Sequence, residues 1–212
     1  MPLTLTRTTQ PATEPVDLVE AKTHLRLDTN DYDSRITAFV QAAREALEIA
    51  TERTMITSTW RLKLDAFPLA RTRPATHRQL ERGTLASEPG AAAIKLPRPP
   101  LQSVNSVKYV DTDGTEQTLS ASKYIVDSDS DPARLTEAHG ETWPDTRDIV
   151  NAVTIDYDAG YGDDAIDVPQ ALREAILMHV EMMHDRPVGS ELSAMERAYQ
   201  SLIAPFVMPT VR

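Results

Sequence analysis

Two stretches of helical periodicity flank a middle region in which apolar and polar residues alternate. Over residues 33–54, Ile36, Phe39, Val40, Ala43, Leu47 and Ala50 recur at the spacing of a single apolar helix stripe. Just before it, "PVDLVEAKTHLRL" starts a shorter helix in which Leu18, Ala21 and Leu25 share a face. Asp17 and Glu20 stand there at capping-box spacing, with Asp where the box prefers Ser or Thr. The period returns in "DVPQALREAILMHVEMMHD", where Asp167 is placed to cap, Pro169 is tolerated in the first turn, and Leu172, Ile176, Val180 and Met183 align. After "DRPVGS", Met195, Ala198, Tyr199, Leu202 and Ile203 predict a last short helix stopped by Pro205.

Between these helices the period shortens to two. Trp60, Leu62 and Leu64 alternate with polar neighbours in "TWRLKLDAF", and "SVKYVDTDGTEQTL" predicts two short strands about an Asp113-Gly114 turn. "KYIVD" and "IVNAVTIDYDAGYG" add strands rich in β-branched and aromatic residues, and the prolines of "LPRPPL" mark a sheet edge or entry. Residues 68–92 mix Pro, Ala, Gly and Arg without period and predict a long exposed loop. The expected fold class is α+β: a small helical bundle built from N- and C-terminal helices, with an inserted β-rich region. Its parts are an N-terminal arm over 1–14, a discontinuous bundle over 15–56 and 164–204, the β insertion over 57–163, and an apolar, extended docking tail over 205–212.

Composition narrows the chemistry. A 41% hydrophobic content over 212 residues supports a real core, and the absence of cysteine excludes disulfides and thiolate metal sites, as expected of a protein made in a reducing compartment. No signal peptide or membrane span is expected from the apolar runs, so the chain is read as soluble with no membrane partner. The formal net charge of -10 repels phosphate on average and makes sequence-specific DNA binding a poor fit. A wall past which DNA slides without sticking is compatible with it.

Four constellations invite a chemical reading. His179, Glu181 and His184 mimic a zinc helix, but histidines five apart diverge by about 140° around the axis, whereas four apart would stand about 40° from each other. They read instead as part of a packing helix, with no metal expected. Asp127, Asp129 and Asp131 begin like a calcium loop, yet Pro132 occupies the position that needs glycine and Ala138 that of the bidentate glutamate, leaving an acidic turn. Glu137, Glu141 and Trp143 imitate a glycosidase pair with a sugar platform, and read as a surface loop anchored by its tryptophan. Arg71, Arg73, Arg78 and Arg82 form a candidate basic contact loop. No nucleophile elbow, phosphate-binding glycine loop or dinucleotide fingerprint occurs, and no catalytic residue or cofactor is expected.

Taken in order, "AKTHLRLDTNDYDSRITAFVQAAREALEIATERTM", "LPRPPLQSVNSVKYVDTDG", "YDAGYGDDAIDVPQALREAI" and "LIAPFVMP" resemble the head-tail connector, or adaptor, proteins of long-tailed bacteriophages and gene transfer agents, over roughly residues 15–208. The resemblance implies a structural virion protein at the head-tail junction, assembled in the bacterial host cytoplasm. It implies a ring, typically of twelve copies, that joins the portal protein to the next neck or tail-completion protein and extends the channel for passing genomic DNA. Pro205, Phe206, Val207, Met208, Pro209, Thr210, Val211 and Arg212 are, on that basis, the candidate portal-contact segment. Two alternatives remain: another tail-completion or stopper protein, and a metal-dependent hydrolase built on His179, Glu181 and His184.

Overall fold

The computed structural model describes residues 3–68 and 93–208. They form two compact units, each assembled from separated segments. One contains residues 1–8, 59–96 and 103–158, and the other residues 9–58, 97–102 and 159–212. The mixed α+β class is as expected from the sequence, with helices and two separate sheets.

The helical unit is built from α1 (Leu18–His24), α2 (Asp33–Thr51), α3 (Gln170–Asp185) and α4 (Ser190–Ile203). Asp17 caps α1, its carboxylate accepting from the Glu20 N–H at 2.7 Å. α2 ends three residues before the sequence expectation, because Glu52 turns into the left-handed region at φ 57°. Ile36, Val40, Ala43 and Leu47 meet Leu172, Ala175, Ile176 and Val180 in one buried cluster, which Tyr199 and Ile203 of α4 complete. Four such stripes give each helix what it lacks alone, a partner for its apolar face.

The start of α3 differs from expectation. Asp167 does not cap it; its carboxylate accepts from the Asp164 N–H at 3.1 Å and closes a 3-10 turn over Ala165–Asp167. Pro169 then stands at the N-cap, without a side-chain bond. The preceding "AGYG" has a steric reason: at Gly160 (φ 145°) an added Cβ would lie 2.5 Å from the Thr57 backbone nitrogen. That close approach lets Tyr161 N–H donate to the Met55 carbonyl and Thr57 N–H to that of Gly162, at 3.0 and 2.9 Å.

The β-rich unit holds a five-stranded and a three-stranded sheet. The first is built from β1 (Leu3–Thr9), β2 (Ser58–Leu64), β4 (Leu101–Val110), β5 (Glu116–Thr118) and β8 (Val153–Ala159), in the order β1-β2-β8-β4-β5. The second is β3 (Ile94–Lys95), β7 (Arg134–Glu137) and β6 (Tyr124–Asp127), in that order and antiparallel. β2 and β8 bury every second residue, as alternation requires: Trp60, Leu62 and Leu64 on one, Val153, Ile155, Tyr157 and Ala159 on the other. The Asp113-Gly114 hairpin forms as expected, with Lys108 opposite Thr118 and Val110 opposite Glu116.

Two segments depart from the sequence reading. The lead expected as an arm is largely the edge strand β1, in which Arg7 lies over the Trp60 ring at 4.6 Å. "RLTE", for which no element was expected, is β7, the central strand of the small sheet, held there by the fully buried Leu135. The loop expected over 68–92 lies outside the described residues from 69 onward.

Candidate interaction surfaces

The side chains that mimic a zinc helix do not converge. His179 is half-buried on α3, edge-on to the Tyr199 ring at 5.6 Å, and burial holds its imidazole below the usual histidine pKa. Glu181 turns instead to His24 on α1, at 3.0 Å, while His184 bonds its neighbour Asp185. Among the described residues no group of three or more His, Cys, Asp or Glu could hold a metal ion.

Both other acidic constellations are structural elements of the β-rich unit. Asp127 accepts from the Ser130 hydroxyl and from Arg134, each at 2.7 Å, and these bonds hold its pKa down to about 2. Its carboxylate closes the turn between β6 and β7. Glu137 accepts the Trp143 backbone N–H at 2.8 Å, and Glu141 is paired with Lys123 at 2.6 Å. The Trp143 ring is stacked on Phe67, with centroids 4.8 Å apart and planes 3° apart, and Phe67 meets Tyr109 edge-on at 5.8 Å. An anchor of that kind is what the sequence suggests for this loop.

In the helical unit a charged network lies inside the core. Arg44 is 1% exposed, and its guanidinium reaches Glu14 at 2.7 Å and Glu48 at 3.1 Å. Burial by itself lowers the Arg44 pKa; the Glu14 hydrogen bond and the charges of Glu48, Glu14 and Glu45 outweigh it, so the group stays above its ordinary value. Glu48, 3% exposed, also accepts the Met55 N–H at 3.1 Å, and its own carbonyl accepts from Arg98 at 2.7 Å. One side chain thereby ties α2 to the turn after it, and its backbone ties in residues 97–102.

The tail does not leave the unit where its apolar composition suggested. Ala204–Phe206 form a 3-10 turn, Phe206 packs against the helical core, and Arg53 donates to its carbonyl at 2.7 Å. Met208 N–H donates to the Thr51 carbonyl at 3.4 Å. Pro205, Phe206, Val207 and Met208 are therefore attached to the end of α2, and Val207 projects 42% exposed. Pro209, Thr210, Val211 and Arg212 lie outside the described residues, as do Arg71, Arg73, Arg78 and Arg82.

The sequence reading joined none of the residues of two further surface features. At one end of the helical unit, Tyr32, Arg35, Phe39, His184 and Arg186 line a cleft of about 340 Å³. The Arg35 guanidinium lies 5.2 Å from the Phe39 ring centroid, and Tyr32 is half exposed. These side chains come from the first turns of α2 and from the end of α3, which only a folded helix pair brings together. Elsewhere, the 3-10 turn before α3 projects Ile166, 83% exposed, from between the exposed Asp163, Asp164 and Asp167. An isolated isoleucine within "GDDAID" is the sequence signal that could have found it.

A family model described as phage gp6-like head-tail connector protein matches residues 15–128. The chain belongs to that family. The match takes in the first helices of this connector and much of its β-rich region, including the Asp113-Gly114 hairpin. Among solved structures, a chain from the neck of an empty gene transfer agent particle, computed with C6 symmetry, is 23% identical at a TM-score of 0.75, with 99% of the connector and 97% of that chain covered. Chains from the native particle's virion and from its neck, computed with C12 symmetry, are each 22% identical at a TM-score of 0.72; the connector is covered over 98% and 99%, and each of those chains over 97%. These likenesses establish a shared fold over nearly the whole chain. No curated protein sequence matches it.

Proposed function

We propose that this connector is a structural component of the neck, forming a ring of identical copies that joins the portal protein to the next neck or tail-completion protein. The observation that carries the reading is the family match, supported by a fold shared over 99% of the chain with a protein of a particle neck. Twelve copies is the ring size favoured, since one such neck was computed with C12 symmetry. No enzymatic role is assigned, and the side chains that imitated one serve packing and turns.

The remaining assignments follow from physical chemistry. A net charge of -10 suits the wall of a channel, where genomic DNA must pass without being held. Residues 205–212 are the segment proposed to meet the portal: their stem is fixed to α2 by Arg53 and Thr51, and Val207 is presented outward. Arg71, Arg73, Arg78 and Arg82 are proposed as a contact loop for an acidic neighbour. The virion's head-tail junction is the expected location, reached by assembly in the host cytoplasm.

Reconstruction of assembled particles tests the reading. The expected result is a coaxial ring of this chain directly beneath the portal. A ring placed further down, next to the tail and away from the portal, would favour a stopper; a chain absent from the particle would end the proposal.

A further inference from the structure

Resting on the ring reading, the inference concerns how one copy recognises the next. The cleft and the projecting turn belong to one unit but lie at opposite ends of α3, whose 16 residues span about 24 Å at 1.5 Å each. They cannot meet within a single molecule. Their chemistries are complementary: the cleft has aromatic walls, Tyr32 and Phe39, and two exposed cations, Arg35 and Arg186. The turn offers an apolar knob between carboxylates.

The charges around the cleft have been weighed by their partners. Asp33 is taken by Lys22 at 2.8 Å and Asp185 by His184, while Asp31, exposed beside Tyr32, subtracts one charge from the rim. Arg35 and Arg186 have no ion pair among the described residues. On the turn, Asp167 is spent on the Asp164 N–H, whereas Asp163 and Asp164 stand exposed.

We propose that Ile166, flanked by Asp163 and Asp164, seats in the Tyr32, Arg35, Phe39 and Arg186 cleft of the next copy. The occupant is a second copy of this chain. Two unlike patches joined in this way make a heterologous contact, which repeats around an axis and closes a ring when the rotation per copy divides a full turn. A central apolar anchor with charged flanks is also the arrangement that gives both affinity and orientation at a small interface.

The chain has no cysteine, so introduced ones report alone. Ser34→Cys and Ala165→Cys flank the two patches without removing a contact residue. In particles assembled with the doubly substituted full-length chain, a short bis-maleimide is expected to give a ladder from dimer upward on a denaturing gel, while neither single variant extends beyond a dimer. A second arm reverses charge: Arg35→Glu with Arg186→Glu, or Asp163→Lys with Asp164→Lys, each lowers incorporation about tenfold, and combining both sets restores it. If imaging shows the ring but the double-cysteine chain gives no ladder, this contact is wrong and the ring reading stands. If the unsubstituted chain forms no ring at all, both fall together.

Discussion

Replacing Arg44 by leucine isolates the buried network from every surface feature. The substitution is close in length and suits a site only 1% exposed, so the main loss is electrostatic. Glu14 keeps access to water, its side chain being 29% exposed, but Glu48 is left charged at 4% with the Met55 N–H as its remaining side-chain contact at 3.1 Å. Stranding one member of a buried pair costs about 3–5 kcal/mol, and the surviving hydrogen bond places the expectation near the lower end. For a chain of this size, roughly 3 kcal/mol lowers the melting temperature by about 6–12 °C. Removing the stranded charge as well, in Arg44→Leu with Glu48→Gln, is expected to recover about 1–2 kcal/mol, since the glutamine can still accept from Met55. Urea unfolding followed by helical circular dichroism measures both variants. An Arg44→Leu loss below about 1 kcal/mol, or a double variant weaker than the single, would refute the assignment of Glu48 as the dependent partner.

Three further outcomes can be measured. Gly160→Ala drives a Cβ into the Thr57 backbone at a left-handed φ and is expected to cost about 1–3 kcal/mol, read as a lower urea midpoint. His179 has a folded pKa below its ordinary 6.5, so the unfolded chain takes up the proton first; stability is intact above pH 6.5 and declines as pH falls through the folded value. His179→Phe should flatten that part of the melting-temperature profile, and an unchanged slope would contradict the assignment. Asp127, held at about 2, stabilises the chain above its ordinary 3.8 and loses that contribution as pH falls towards 2; NMR titration should find its pKa raised by Arg134→Ala.

What the sequence reveals depends on the range of the interactions responsible. The stripe of α2, the Asp17 cap and the Asp113-Gly114 turn are local patterns and were legible. β1 was not, because "LTLTRTT" has only two large apolar residues and becomes a strand by pairing with β2, whose first residue is some fifty positions away. β7 is four residues long with a single fully buried side chain, too short for a period to register. The buried Arg44 and Glu48 ran against the rule that charges face water, since their burial depends on each other and on Glu14. The tail's composition was read correctly, whereas its anchorage needed Arg53 from across the fold. The cleft was hidden for the same reason, being the product of two helices joined end to start.

The segmental make-up of the two units has an evolutionary consequence. The backbone passes between them at Thr8–Thr9, Ser58–Thr59, Leu96–Pro97, Gln102–Ser103 and Asp158–Ala159. A single genetic crossover therefore cannot transplant one unit intact into a foreign partner; it splices both at once. Lineages that exchange whole genes can pass this connector on, while exchange within the gene scrambles two cores together, so adaptation to a new neighbour is expected to proceed through point changes at exposed positions.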